Sequence, residues 1–115
     1  MRERRQHVRT RLSRPVTVYM SDATSVTAEI ADLSQNGIAI VYSAPASLGT
    51  LLTLEFRLTV REEDDTLKLQ GIVRNIRLAQ DKYRIGLEFV EPPEDHLETI
   101  NTFIQDRIRA GIVRG

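Results

Sequence analysis

Apolar and polar residues alternate with a period of two along most of the chain. From Pro15 to Met20, Val16, Val18 and Met20 alternate with Thr17 and Tyr19, the pattern of a strand with one face in a core. Ser21 to Thr24 then connects to a second strand at about Ser25 to Leu33, with Val26, Ala28 and Ile30 on one face. Asn36-Gly37 follows, and both residue types tolerate the positive φ of a tight hairpin. Ile38 to Tyr42 is almost continuously apolar, which predicts a strand buried on both faces. After a loop from Ser43 to Gly49, Leu52, Leu54, Phe56 and Leu58 mark a fourth strand at Leu51 to Val60. Arg61 to Thr66 contains the acids Glu62 to Asp65 and predicts a solvated hairpin loop. A fifth strand covers about Leu67 to Leu78, with Gly71 as the expected bulge. Gln80-Asp81-Lys82 turns into a sixth strand, Tyr83 to Val90, the most regular alternation in the chain.

Beyond Pro92-Pro93 the period changes. Leu97, Ile100, Ile104 and Ile108 recur at spacings of three and four, predicting a helix that begins at about Glu94 and packs its apolar face on the sheet, with dimerisation as the lesser use of that face. Glu94, Asp95 and Glu98 suit its positive end, Arg107 and Arg109 its negative end, and Gly111 its stop. Short strands and frequent turns imply a mainly all-β chain closing as a small barrel. The organisation expected is a flexible basic arm over residues 1–14, a barrel over 15–92 and a helix over 93–111.

The length of 115 residues suits one domain with a modest core. There is no cysteine, which excludes a disulfide framework and thiolate metal sites. No apolar run approaches a membrane span or a secretory signal, so a soluble, cytoplasmic chain is expected. The net charge is zero but unevenly spread. Residues 1–14 carry six arginines (Arg2, Arg4, Arg5, Arg9, Arg11 and Arg14) against Glu3, and the remainder carries a matching excess of acid. Positive charge confined to one terminal arm favours a small anionic ligand over a long polyanion, which would call for a basic face.

Catalytic constellations are missing. The two histidines, His7 and His96, fall in different elements without metal-ligand spacing. No serine elbow or phosphate-cradling glycine loop occurs, so neither an enzyme nor a metal site is expected. The arginines carry more chemistry. A guanidinium fork matches a phosphate or the O6/N7 edge of guanine, and it stacks on purines. Arg5 and Arg9, four residues apart, suit such a clasp or belong to an unstructured basic leader. Asp32-Leu33-Ser34-Gln35-Asn36-Gly37 equally has two readings. Asp and Ser cap turns through the local backbone; alternatively, the Asp32 carboxylate accepts from guanine N1–H and the exocyclic amine, Ser34 donates to a phosphate or base, and Gly37 permits close backbone approach.

Together, R-x-x-x-R before the first strand and D-x-S-x-x-G between strands two and three resemble the PilZ domain family. Arg4-Arg5 doubles the first arginine, as in many family members. Gly71-Ile72-Val73-Arg74 followed by Tyr83-Arg84-Ile85-Gly86-Leu87-Glu88-Phe89 looks like the family's last two long strands. The resemblance implies a six-stranded antiparallel β-barrel with a C-terminal helix that binds the bacterial second messenger cyclic di-GMP and uses no cofactor. It implies ligand contacts from Arg5, Arg9, Asp32, Ser34 and Gly37, an added phosphate contact from Arg4, and an arm ordered by ligand that signals to a motility, polysaccharide or secretion protein. His7 lines the site or faces solvent. Two other readings stand beside this one. A single-stranded nucleic-acid barrel would need stacking aromatics, but there is no tryptophan, and Tyr83 and Phe89 look like core. A protein-interaction adaptor would use the helix face.

Overall fold

The computed structural model describes residues 8–111. Six strands, β1 (Thr10–Tyr19), β2 (Ser25–Leu33), β3 (Gly37–Tyr42), β4 (Leu51–Val60), β5 (Glu63–Ala79) and β6 (Lys82–Phe89), precede one helix, α1 (Glu94–Arg109). Every pairing is antiparallel, and the sheet closes as a barrel in the order β1-β2-β3-β6-β5-β4. The alternating residues named above fill it: Val16, Ile30, Ile38, Leu54, Leu58 and Leu87 are all buried. Each such side chain contributes about 1.5–3 kcal/mol relative to exposure.

Closure is uneven. β1 and β4 pair at Thr17↔Glu55, Val18↔Leu54 and Tyr19↔Thr53 only. Below that point α1 completes the core with Ile100, Phe103 and Ile104, all buried, and Ile108 packs against the same cluster. Of the helix face predicted from its spacing, Ile100, Ile104 and Ile108 therefore join the core, with Phe103 as an additional member, while Leu97 stays half-buried outside the cluster. Pro93, the N-cap residue before the helix, makes no side-chain cap, and Glu94 and Asp95 supply the charge in the first turn. Gly111, at φ +76°, ends the helix in the conformation glycine favours.

The structure revises four expectations. β1 begins at Thr10, not Pro15, so residues 10–14 of the expected arm are sheet: Thr10 pairs with Leu33 and Arg11 with Asp32. The inward alternation continues through Thr10 and Leu12, but the arginines between and after them hid it. β5 begins at Glu63, and the hairpin tip shrinks to Arg61 and Glu62, both at positive φ. Glu63, Asp64 and Asp65 pair with Val60, Thr59 and Leu58 while their side chains stay exposed; solvated acids do not prevent a ladder when the opposite strand reaches that far. Gly71 pairs regularly with Leu52 and Phe89, and the irregularity lies between Val73 and Asn75. Glycine at 71 instead admits the Leu87 and Leu54 side chains. Finally, neither Asn36 nor Gly37 has positive φ. Gly37 is needed because a Cβ there would lie 2.5 Å from the Leu87 carbonyl oxygen, in the backbone of β6.

Candidate ligand-binding site

Strict alternation would send Asp32 inward behind Ala28 and Ile30. A bulge in β2 prevents this: Ile30 pairs with Ile40, but Asp32 pairs with Ala39, so Ala31 has no opposite number. Ile30 and Leu33 thus both point into the core, and Asp32 turns to the outer face beside β3 and β6. There it is still only 6% exposed, and a carboxylate so nearly covered requires charged partners. It has two. Arg9 Nη1 donates to Oδ1 at 2.7 Å, and Arg84 Nη2 donates to Oδ2. One oxygen is held by the residue leading into β1 and the other by β6.

Beside this clamp lies a groove of about 300 Å³ lined by Arg9, Asn36, Gly37, Arg74, Asn75 and Gly86 among others. Its floor exists because two residues lack a Cβ. Gly37 lets the β3 backbone meet β6, and at Gly86 a Cβ would sit 2.7 Å from Asn75 Oδ1, so the Asn75 side chain lies over that glycine. The β5 bulge sets this arrangement: Val73 and Ile76 pair with the core residues Leu87 and Ile85, while Asn75 pairs with Gly86 on the outside. Arg74 Nε donates to Glu88 Oε1 at 2.8 Å along the rim. The groove therefore offers guanidinium donors, an amide and bare backbone, which suits a flat polar ligand with negative charge.

Ser34 is placed differently. It is 1% exposed, and its hydroxyl is directed to Asn36 Oδ1 (3.0 Å) and the Gly37 carbonyl (3.3 Å). Its amide donates to the same Gly37 carbonyl at 2.9 Å, while the Phe89 amide donates to the Asn36 carbonyl. Ser34 here shapes the corner that presents Asn36 and Gly37. Of the residues predicted from sequence, Arg9, Asp32 and Gly37 converge, and Ser34 supports them from beneath; Arg4, Arg5 and His7 lie outside the described residues. Sequence reasoning missed Arg84, Arg74, Asn75, Asn36 and Gly86 as site residues. The period of β6 puts Arg84, Gly86 and Glu88 on one polar face, which was the available signal. Nothing in it names Asp32 as the partner of Arg84. Among the described residues no cluster of three or more metal-ligating side chains occurs, and no helix is long and apolar enough to cross a membrane.

The end of the barrel nearest the clamp is tied to the helix. Arg107 Nε donates to Thr10 Oγ1 at 2.7 Å, and Nη2 donates to the Arg11 carbonyl at 2.9 Å. The chain leaving Arg9 is thus anchored immediately.

Comparison with known proteins places the fold. The chain is similar to an uncharacterised protein of Aquifex aeolicus (strain VF5), with 29% identity over 106 residues that cover 91% of this chain and 50% of that protein. Among solved structures, Bacillus subtilis inhibitor of motility (MotI/DgrA) superposes with a TM-score of 0.82 at 23% identity, covering 94% of this chain and 53% of that one. Escherichia coli YcgR in complex with c-di-GMP gives 0.75 at 16% identity, covering 95% and 48%. The K. pneumonia MrkH–c-di-GMP complex gives 0.73 at 19% identity, covering 96% and 55%. At these identities the likeness shows the fold, and the chain spans about half the length of these relatives. The PilZ domain model matches residues 3–106, most of the sequence, and the chain accordingly belongs to the PilZ domain family.

Proposed function

We propose that this chain is a receptor domain for cyclic di-GMP, a binding module and not an enzyme, that acts in the bacterial cytoplasm through a partner protein. One observation carries the reading: Arg9 and Asp32, from the two segments singled out in the sequence, meet at 2.7 Å beside a groove. The c-di-GMP complexes of YcgR and MrkH, which share the fold, support the choice of ligand. In this reading the Asp32 carboxylate accepts from guanine N1–H and the exocyclic amine while Arg84 keeps hold of it. Arg9 and Arg5 turn to a phosphate or a guanine O6/N7 edge, Arg4 adds a phosphate contact, and Ser34 and Gly37 hold the corner against which the base lies.

Magnitudes favour the exchange. The Arg9 side chain is 40% exposed, and Arg84 stays on the other Asp32 oxygen, so releasing Arg9 does not leave the covered carboxylate without a charged partner. A charge-assisted contact to a phosphate inside the groove contributes about 1.5–3 kcal/mol. A ligand bearing two phosphates therefore displaces the Arg9–Asp32 contact and draws the arm onto the barrel, and that rearrangement is the signal passed to the partner. The aromatic residues that a nucleic-acid barrel would use are elsewhere: Phe89 and Phe103 are buried, and Tyr83 packs against the core.

Calorimetric titration with cyclic di-GMP, with the linear dinucleotide as control, tests the assignment. Saturable binding of the cyclic ligand is expected, weakened by roughly 10- to 100-fold on replacing Arg5 or Arg9 with alanine, the loss of one charge-assisted contact. Undiminished binding after removal of both arginines would overturn it.

A further inference from the structure

A second groove lies on another side of the barrel, where the β1–β4 ladder opens. It has a volume of about 490 Å³ and is lined by Arg14, Pro15, Thr17, Glu55, Arg57 and Thr66 among others. Its origin is local. Continuing the register past Thr17↔Glu55 would bring Pro15 opposite Arg57, and proline has no N–H to donate to a ladder. Among the described residues no β1–β4 pair forms beyond Thr17↔Glu55. The facing edges of the two strands diverge there, and the groove occupies the gap.

Its charges are unbalanced. Arg14 stands opposite the core residue Ile30, half-buried at the opening, and Arg57 projects from the outer face of β4. Neither arginine has an ion-pair partner among the described residues. The acid in the lining is already engaged: Glu55 accepts from the Tyr19 hydroxyl at 2.6 Å and faces Lys68 across the β4–β5 ladder. Lys68 Nζ in turn sits 5.0 Å from the centre of the Tyr19 ring. Two guanidiniums against one carboxylate thus line a groove whose walls are strand edges, and Thr17 and Thr66 add hydroxyls to the lining.

The geometry points to this seam as a docking groove for an extended acidic segment of a partner protein. An extended backbone pairs with open strand edges, carboxylates match the forks of Arg14 and Arg57, and the complementary charge fixes the register. The inference stands apart from nucleotide binding, because none of the Arg9, Asp32 and Arg84 machinery lies in the seam.

The test is a heteronuclear NMR titration of the whole chain with a blocked peptide of alternating Glu and Val, and with the same peptide carrying Lys for Glu. The acidic peptide is expected to shift the amides of Arg14, Thr17, Arg57 and Thr66, and the basic one to leave them unmoved. Arg57→Gln, an exposed substitution, should weaken the acidic peptide by about tenfold, the loss of one charge-assisted contact, and R57E should abolish its binding, with thermal melts confirming that both variants fold. Shifts spread over the surface, or an undiminished affinity in R57E, would overturn the inference. Inorganic phosphate saturating the same amides as tightly as the peptide would overturn it too, in favour of a small-anion site.

Discussion

Arg9 Nη1 and Asp32 Oδ1 stand 2.7 Å apart although 23 residues separate them in the chain. The contact holds together two segments whose identities point to ligand binding, and together with Arg84 it satisfies the carboxylate. Under the proposed function, binding would exchange partners at Asp32, with guanine taking the place of Arg9.

Replacing Asp32 with alanine tests that exchange. The variant loses the acceptor proposed for guanine and leaves two guanidiniums, Arg9 and Arg84, facing each other. Affinity for cyclic di-GMP is expected to fall by roughly 10- to 100-fold, as for loss of a charge-assisted contact. Calorimetry reads the affinity, and far-ultraviolet circular dichroism checks the barrel. Arg84→Ala should also weaken binding, since Asp32 would then face the groove with one anchor. Affinity equal to wild type in both variants would remove Asp32 from the site.

Gly37→Ala separates close approach from turn conformation. The added methyl would lie 2.5 Å from the Leu87 carbonyl oxygen, which is backbone and cannot rotate away. The β3–β6 ladder must part locally, and a loss of about 1–3 kcal/mol is expected, typical of overpacking. Urea denaturation measures it. A neutral substitution would show that the two strands have slack.

Thr10→Val keeps the shape of a residue that is 1% exposed but removes the acceptor for Arg107 Nε. The lost hydrogen bond to a charged group is expected to destabilise the chain by about 1–3 kcal/mol. The sharper readout is hydrogen exchange. Amides in the last turn of α1 should exchange faster in the variant, while those of β5 and β6 do not change. Uniform acceleration would mean that Thr10 serves general packing and not the attachment of the helix.

Tyr19 supplies a pH dependence. Its hydroxyl donates to Glu55, and this bond, followed by desolvation and the repulsion of that carboxylate, raises its pKa above the ordinary tyrosine value. A group whose folded-state pKa is raised contributes stability that is fully present below its unfolded-state pKa and lost as pH rises through the folded-state value. Thermal stability should therefore decline on the alkaline side of the ordinary tyrosine range, and Tyr19→Phe should flatten the decline. In a spectrophotometric titration, a transition above the ordinary tyrosine range is expected to vanish in that variant. Its persistence would show that the Tyr19 hydroxyl is not the raised group.

Much of this molecule follows from period and spacing alone. The alternation of Val16 and Val18, of Leu52 to Leu58 and of Ile85 to Phe89 identifies strands, because successive strand residues point to opposite faces and here one face stays in water. The three- and four-residue recurrence at Ile100, Ile104 and Ile108 identifies the helix and its buried side. Arg9 and Asp32 are also recognisable, as residue types whose chemistry the core cannot use. Tertiary structure decided which way Asp32 points. Its position two residues after Ile30 assigns it to the interior, and only the unmatched Ala31 in the β2–β3 pairing turns it out to Arg9 and Arg84. The β5 bulge does the same for Asn75 over Gly86. A bulge arises from the register between two strands distant in sequence, so the local pattern of either strand carries no trace of it, and it is these two bulges that build the site.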